Sequence, residues 1–252
     1  MLSQQERLTF LAGGIAALRD GGVPTWTQLG LVRPKTGLYG EISLAVREML
    51  AQDRITDFFF MHKPPGLRVR FAAAPGRESW VRAEATRLAR RWQEDGLIDG
   101  VVPGVYEPEA FLFGGPAAMH HVHRLFTVDS LAWLDHHVRP TLPVWLLSMR
   151  LLRSVFGGLG LCCQTWSRVR DNCGRRVTLK DDAVTMACAE LRAVWETTRA
   201  PAEPAARSWR VALERVGVDA AEAAAYYVVF HWNRARLSSV RQALITEALA
   251  GA

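Results

Sequence analysis

Cysteine is scarce, at four in 252 residues, which excludes a scaffold stapled by disulfides. Lysine is scarcer: it occurs only at positions 35, 63 and 180, so 28 of the 31 basic residues are arginine. Long apolar runs are missing too. None approaches the roughly 20 residues needed to span a bilayer, because Pro143, Arg150, Arg153 and glycines interrupt the best candidates at 142–152 and 155–163. The first ten residues, Met1 to Phe10, are polar and mixed in charge, so no secretory signal is read there. Phosphate-cradling glycine loops, a dinucleotide fingerprint and a Gly-x-Ser-x-Gly elbow are all absent, as are internal repeats and low-complexity tracts. With 49% hydrophobic and 22% charged residues the chain is neither disordered nor collagenous nor a coiled-coil rod. These absences leave a cytoplasmic globular protein, read as one domain over residues 1–252.

The charge balance, 31 basic against 25 acidic residues, is +6. Guanidinium forks suit planar recognition of carboxylates and phosphates, so the expected partners are acidic, either a peptide or a nucleic acid. The run Trp166-Ser-Arg168-Val-Arg170 could touch nucleic acid but matches no recognised module.

Apolar spacing predicts helices over 4–19 and 41–52, with loop between them as far as Thr36. A β-prone stretch, Ile55 to Met61, meets a turn at Lys63-Pro-Pro-Gly66. Strict alternation in Leu67-Arg-Val-Arg-Phe71 then places Leu67, Val69 and Phe71 on one strand face and Arg68 and Arg70 on the other. A helix over 78–93 and a third strand over 98–106 follow. Beyond Gly115 the pattern is almost wholly helical, over 117–137, 142–156, 181–198, 205–216 and 220–250. The last is one kinked helix or two, and the breaks fall at Pro140, Gly157-Gly158, Gly174 and Pro201 to Pro204. The expected class is α+β, a small, largely antiparallel sheet with helices packed against it and a mostly helical C-terminal half.

Three groups of side chains carry candidate chemistry. Arg68 and Arg70 form either a solvated strand face or a basic surface that accepts a carboxylate or a peptide. Tyr227 and His231 lie at i and i+4 of an apolar helix. They are an acid–base pair or, alternatively, a buried histidine bonded to backbone. The histidines at 120, 121, 123, 136 and 137 invite a zinc hypothesis, yet no i, i+4 ligand pair occurs within the group and no Cys-x-x-Cys supports it. No metal and no cofactor are expected.

Four patches in order resemble one family, the C-terminal domain of lantibiotic dehydratases and the thiopeptide-type bacteriocin biosynthesis proteins built from it. Phe58-Phe-Phe-Met-His-Lys-Pro-Pro-Gly-Leu-Arg-Val-Arg-Phe71 looks like its Phe-x-Arg-x-x-x-Pro-Gly-x-Arg-x-Arg strand pair. Tyr106-Glu-Pro-Glu-Ala-Phe-Leu-Phe-Gly-Gly115 resembles its Tyr-x-x-Glu-x-x-Arg-Tyr-Gly-Gly. Leu125-Phe-Thr-Val-Asp-Ser130 is similar to its Phe-x-x-Asp-Ser, and His231-Trp-Asn-Arg234 to its closing Asn-Arg.

The resemblance implies an enzyme that matures ribosomally made peptides. One branch eliminates glutamate from glutamylated Ser or Thr; a stand-alone branch joins two dehydroalanines by a formal 4+2 cycloaddition that yields a pyridine and a macrocycle. Here the arginine of the second motif falls on Leu112 and its tyrosine on Phe113, and the position of the eliminating branch's closing histidine is Val229. A leucine cannot make an arginine's charge-assisted bonds to a glutamyl carboxylate, so the cycloaddition branch is the better match. A glutamate-eliminating subunit of a split dehydratase and a non-catalytic precursor-binding scaffold remain the alternatives. On this reading His231, Tyr227 and Tyr106 handle protons, and Arg68, Arg70, Asn233 and Arg234 bind substrate. The partner is a precursor peptide with an acidic leader and an azole- and dehydroalanine-bearing core, alongside other maturation enzymes. No membrane or nucleic acid is expected, and a homodimer is the oligomer considered.

Overall fold

The computed structural model describes residues 25–161, 165–173 and 182–250. Four strands, β1 (Trp26–Val32), β2 (Ile55–Lys63), β3 (Gly66–Ala73) and β4 (Gly100–Gly104), form one antiparallel sheet in the order β2-β3-β1-β4. Helix α1 (Leu38–Ala51) joins β1 to β2, and α2 (Glu78–Glu94) joins β3 to β4. A 3₁₀ turn (Ala110–Phe113) leads into the long α3 (Pro116–Val138). After it come α4 (Val144–Leu159), α5 (Thr165–Cys173), α6 (Asp182–Thr197), α7 (Pro204–Val216), α8 (Ala220–Ala235) and α9 (Ser239–Ala250). This is the α+β arrangement that the periodicities predict, with a helical C-terminal half.

Three expectations are corrected. The segment before Thr36, read as loop, contains β1, paired to β3 from Trp26↔Ala72 to Val32↔Gly66 and to β4 from Gln28↔Gly104 to Val32↔Gly100. Its alternation is broken by Gly30, which hides the period, but Leu29 and Leu31 are buried in the core as a strand requires. Gly157-Gly158 does not end a helix; both lie inside α4. A Cβ at Gly158 would stand 2.6 Å from the Cβ of Ala206 on α7, so this glycine lets two helices touch. The helix stops instead at Gly160, whose φ of +71° suits glycine. The run around Trp166 is helix α5, whose tryptophan is buried and stacks on Trp232 of α8. Positions 220–250 resolve into two helices, separated at Arg236 with φ +51°. The helix expected over 4–19 and the break at Gly174 lie outside the described residues.

Sheet order leaves β2 at an edge, where unpaired N–H and C=O groups would be costly to bury. Helices α3 and α8 cover that edge with polar side chains. The N–H groups of Phe58 and Phe60 donate to Thr127 Oγ1 (3.0 Å) and Ser130 Oγ (3.3 Å) on α3. Arg124 Nη1 donates to the carbonyl of Thr56 at 2.7 Å. Asn233 on α8 serves both sides of one residue: its Oδ1 accepts from the His62 N–H (2.7 Å) and its Nδ2 donates to the His62 carbonyl (2.8 Å). Docking the sheet onto the helical half thus runs through hydrogen bonds at register positions 58, 60 and 62, every second residue along the strand.

Asn233→Ala strips both partners from His62. Each stranded backbone group costs about 1–3 kcal/mol, less whatever water recovers at this half-buried position, so about 2 kcal/mol net and a melting temperature lower by ~4–8 °C are expected. Calorimetry showing no loss would mean that the Asn233 bridge does not hold the sheet.

Candidate functional site

The sequence-predicted residues fall into two places. His231, Tyr227 and Arg234 belong to a sealed polar cluster centred on Asp129 of α3. His231 Nδ1 lies 2.7 Å from Asp129 Oδ1, and Arg234 Nε donates to Asp129 Oδ2 at 2.7 Å. All three side chains are buried. At 2.7 Å from a carboxylate, Nδ1 must carry the proton, so Trp133 Nε1, 3.5 Å from it, is a contact rather than a donor to it. His231 Nε2 then faces the Ser148 hydroxyl on α4 at 2.9 Å. Burial pushes the Asp129 carboxyl up, but the charges and hydrogen bonds of His231 and Arg234 outweigh it and hold the group below its ordinary value. Burial, followed by the Asp129 charge, raises the Tyr227 hydroxyl well above the tyrosine range. The guanidinium of Arg234 lies over the Phe126 ring at 4.4 Å and the Tyr227 ring at 6.0 Å. His231 and Tyr227 do share a helix face, as i and i+4 require, but neither reaches solvent.

The second place is open. Arg68 and Arg70 share a face of β3, as alternation predicts, and then part. Arg68 turns back and donates from Nε (3.0 Å) and Nη2 (2.9 Å) to the carbonyl of Pro64, clamping the Pro64–Pro65 turn, whose peptide bond is cis. Arg70 lies across the sheet. Its Nε donates to Gln28 Oε1 at 2.6 Å, and its guanidinium stands over the rings of Tyr106 (4.7 Å) and Phe59 (4.8 Å). Its terminal nitrogens have no acceptor among the described residues. Gln28 Nε2 in turn donates to the Val105 carbonyl at 3.1 Å, which fixes the backbone beside Tyr106. Tyr106 meets His123 of α3, hydroxyl to Nε2, at 2.8 Å, with Trp26 packed against both rings.

Electrostatics set the charge state of that pair. Burial lowers the pKa of His123 to about 4, helped by the repulsion of His120 and Arg70. Burial also raises Tyr106 above the tyrosine range, against the pull of Arg70. At neutral pH the hydroxyl therefore keeps its proton beside a neutral imidazole, whose Nδ1–H tautomer accepts it at Nε2 and whose Nε2–H tautomer donates to the tyrosine oxygen. Arg70 itself is lowered to about 10, by burial first, and stays charged at neutral pH. Trp26, Gln28 and Tyr106 line a cleft of about 490 Å³ where β4 ends.

Sequence reasoning missed Trp26 and Gln28, because β1 was read as loop. It set His123 aside within a histidine group judged only for metal. Among the described residues no three His, Cys, Asp or Glu side chains converge as metal ligands, and no helix is long and apolar enough to cross a membrane. Leu112, where the resemblance expects arginine, is half-buried and packed against the core. Phe113 is buried against Phe126, Trp209 and Phe230. Val229 is exposed. Gly114, next after Phe113, has φ +92°, and a Cβ there would meet the end of the Leu213 side chain at 2.6 Å, so a side chain at this position would be strained.

Comparison with known proteins gives one family and one fold. The family model described as lantibiotic biosynthesis dehydratase C-term matches residues 32–252. A crystal structure of the tRNA-dependent lantibiotic dehydratase MibB from Microbispora sp. 107891 superposes with a TM-score of 0.61 at 16% identity, covering 91% of this chain. The chain spans 28% of the length of that dehydratase. Comparison with curated protein sequences returns no match.

Acid should loosen this site before it unfolds the rest. A histidine with an ordinary value of about 6.5 when unfolded and about 4 when folded binds its proton preferentially in the unfolded chain. The stability that neutral His123 contributes is present above pH 6.5 and lost as pH falls towards 4, at most about 3 kcal/mol. His62, lowered to about 3 by burial first and then by Arg236 and His137, acts in the same sense. Denaturant midpoints measured from pH 7 to 4 should fall, and His123→Gln should flatten that fall. Equal slopes for both proteins would remove His123 from the account.

Proposed function

The chain belongs to the lantibiotic biosynthesis dehydratase C-terminal family, and we propose that it matures a ribosomally made precursor peptide by a formal 4+2 cycloaddition between two dehydroalanines. The observation that carries this reading is the composition of the cleft. Tyr106, which lines it together with Arg82, stands under the buried guanidinium of Arg70 and bonds to His123 behind it, while leucine occupies position 112. Such a set polarises a neutral amide better than it grips and expels a glutamate.

The reaction asks for two alkenes far apart in one peptide to be held together. Orientation of this kind is worth effective molarities of ~10⁵–10⁸ M when geometry is good. It also asks for the iminol form of one amide. Arg70's free terminal N–H groups bond to the amide oxygen and spread its developing charge. Tyr106 takes the amide proton as its own passes to His123 Nε2. Two carbon–carbon bonds close a six-membered ring containing the nitrogen of one dehydroalanine. Return of that proton leaves a ring carbinol; its hydroxyl departs as water with one ring C–H proton, and the leader departs as its carboxamide with a second, Tyr106 and His123 carrying each proton from carbon to leaving group. Each elimination adds one double bond, so the aromatic ring is reached without an oxidant. Asp129, His231, Arg234 and Tyr227 enter as positioning residues: they fix α3 and α8, on which His123 and the neighbouring wall stand. Asn233 acts likewise, through β2.

Mass spectrometry of the purified chain with an azole-containing precursor bearing two dehydroalanines tests the reading. A released leader amide, with a core lighter by leader and water, is the expected outcome. Tyr106→Phe should then lower kcat about 10²-fold, in the range of a lost proton donor, with precursor affinity nearly unchanged. A precursor bound but left at its starting mass would turn the assignment towards a scaffold. Loss of glutamate from a glutamylated peptide would turn it towards elimination.

A further inference from the structure

Helix α2 carries an arginine face that the reaction above does not use. Its buried stripe is Val81, Ala85, Leu88, Ala89 and Trp92. The opposite side, which forms a shallow basin, presents Arg82, Arg87, Arg90 and Arg91, with Glu94 as the single acid. Glu84 neutralises Arg87 through two bonds of 2.8 and 2.6 Å, and Asp95 stands 3.6 Å from Arg91. Arg82 and Arg90 are exposed and have no carboxylate within ion-pair distance among the described residues.

This face continues into the cleft, since Arg82 and Thr86 line both. At the shared border the sheet is unfinished. β4 pairs with β1 only as far as Gln28↔Gly104, whereas β1 runs on to Trp26 with β3 alone beside it. The N–H and C=O of Trp26 face that open side, since the Thr25 carbonyl turns to Ala73 of β3, and among the described residues they offer a short strand edge within a cleft of about 490 Å³. A strand laid there would alternate its side chains. One set would point to the side of Thr27 and Leu29, where Arg82 stands; the other would point to the side of Trp26, Gln28 and Tyr106.

We propose that this edge and the α2 arginine face bind an acidic, extended segment of the precursor peptide by strand addition, its carboxylates on Arg82 and Arg90. The proposal rests on the peptide-maturing reading and names its docking site. Charge complementarity selects an acidic chain. The free strand edge selects a peptide backbone over a nucleic acid, and the four arginines are interleaved with Ser79, Ala83 and Thr86 rather than with aromatic rings on which bases could stack. Docked so, the acidic segment leads its continuation onto Tyr106.

Fluorescence anisotropy with a labelled twelve-residue peptide of alternating Glu and Val, titrated with the whole chain, tests this without turnover. Binding is expected to weaken at least tenfold in the double variant Arg82→Glu/Arg90→Glu. It should change less than twofold in Arg139→Glu/Arg199→Glu, which carries the same net charge. A peptide N-methylated at alternate residues should also lose at least tenfold, because it cannot pair along one edge. Unchanged affinity in the Arg82/Arg90 variant, full affinity of the N-methylated peptide, or bulk tRNA binding more tightly at the same face would each overturn the proposal. Because no reaction is measured, intact binding without cyclisation would count against the cyclase reading alone.

Discussion

One carboxylate, that of Asp129, ties the helical half together. It sits on α3, receives hydrogen bonds from His231 and Arg234 of α8, and through His231 reaches Ser148 of α4. Taking such charges out of water costs several kcal/mol per ion, and the mutual attraction returns that cost only where the geometry is good. Here each carboxylate oxygen has its own charge-bearing or hydrogen-bonding partner at 2.7 Å. The arrangement is therefore a specificity device more than a source of stability. Removing one member would leave a buried charge unmatched, so α3, α4 and α8 have one register in which Asp129 meets both His231 and Arg234 and His231 meets Ser148. That register places Thr127, Ser130 and Asn233 opposite the free edge of β2.

The consequence for the open cleft is direct. His123 is on α3, two turns before Asp129; Phe59 and Arg70 are on the sheet that α3 covers. The 2.8 Å contact between Tyr106 and His123 therefore depends on the sheet and α3 meeting in the register that the buried cluster enforces. Four residues that the sequence pointed to as chemistry, His231, Tyr227, Asn233 and Arg234, hold this frame, while the groups that face the cleft come from β1, from α2 and from the end of β4 and the segment after it.

How much of this was legible follows from the reach of each signal. The β3 alternation was plain, because a period of two in Leu67 to Phe71 is local and both faces are occupied as it requires. The long helices were plain for the same reason. β1 was not: Gly30 breaks its alternation, and its status as a strand comes from β3 and β4, partners some forty and seventy residues away. The pairing of His231 with Asp129 spans 102 residues. The i, i+4 spacing visible in the sequence pointed His231 to Tyr227 instead, a neighbour in space at 6.4 Å between rings but not its hydrogen-bond partner. His123 carried no signal of its own. Only the fold separates it from His120 and His121, by turning it inward against Tyr106.

Position 112 carries leucine where the family resemblance expects arginine. The 3₁₀ turn that carries Leu112 is anchored on both sides: Phe113 is buried, and its carbonyl accepts from Trp209 Nε1 at 3.0 Å. The backbone there is fixed by the core whatever side chain position 112 bears. Leu112 is itself half-buried against the core, so an arginine there would exchange that packing for a charge. With leucine there, Arg70 is the cation set closest to Tyr106. Its pKa, lowered to about 10 by burial, marks a guanidinium already stripped of much of its water. A desolvated, unpaired donor beside a neutral Tyr–His pair favours an uncharged acceptor that gains negative character during reaction, as an amide oxygen does. A carboxylate entering the same place would arrive fully charged and would need a second cation to offset its own desolvation.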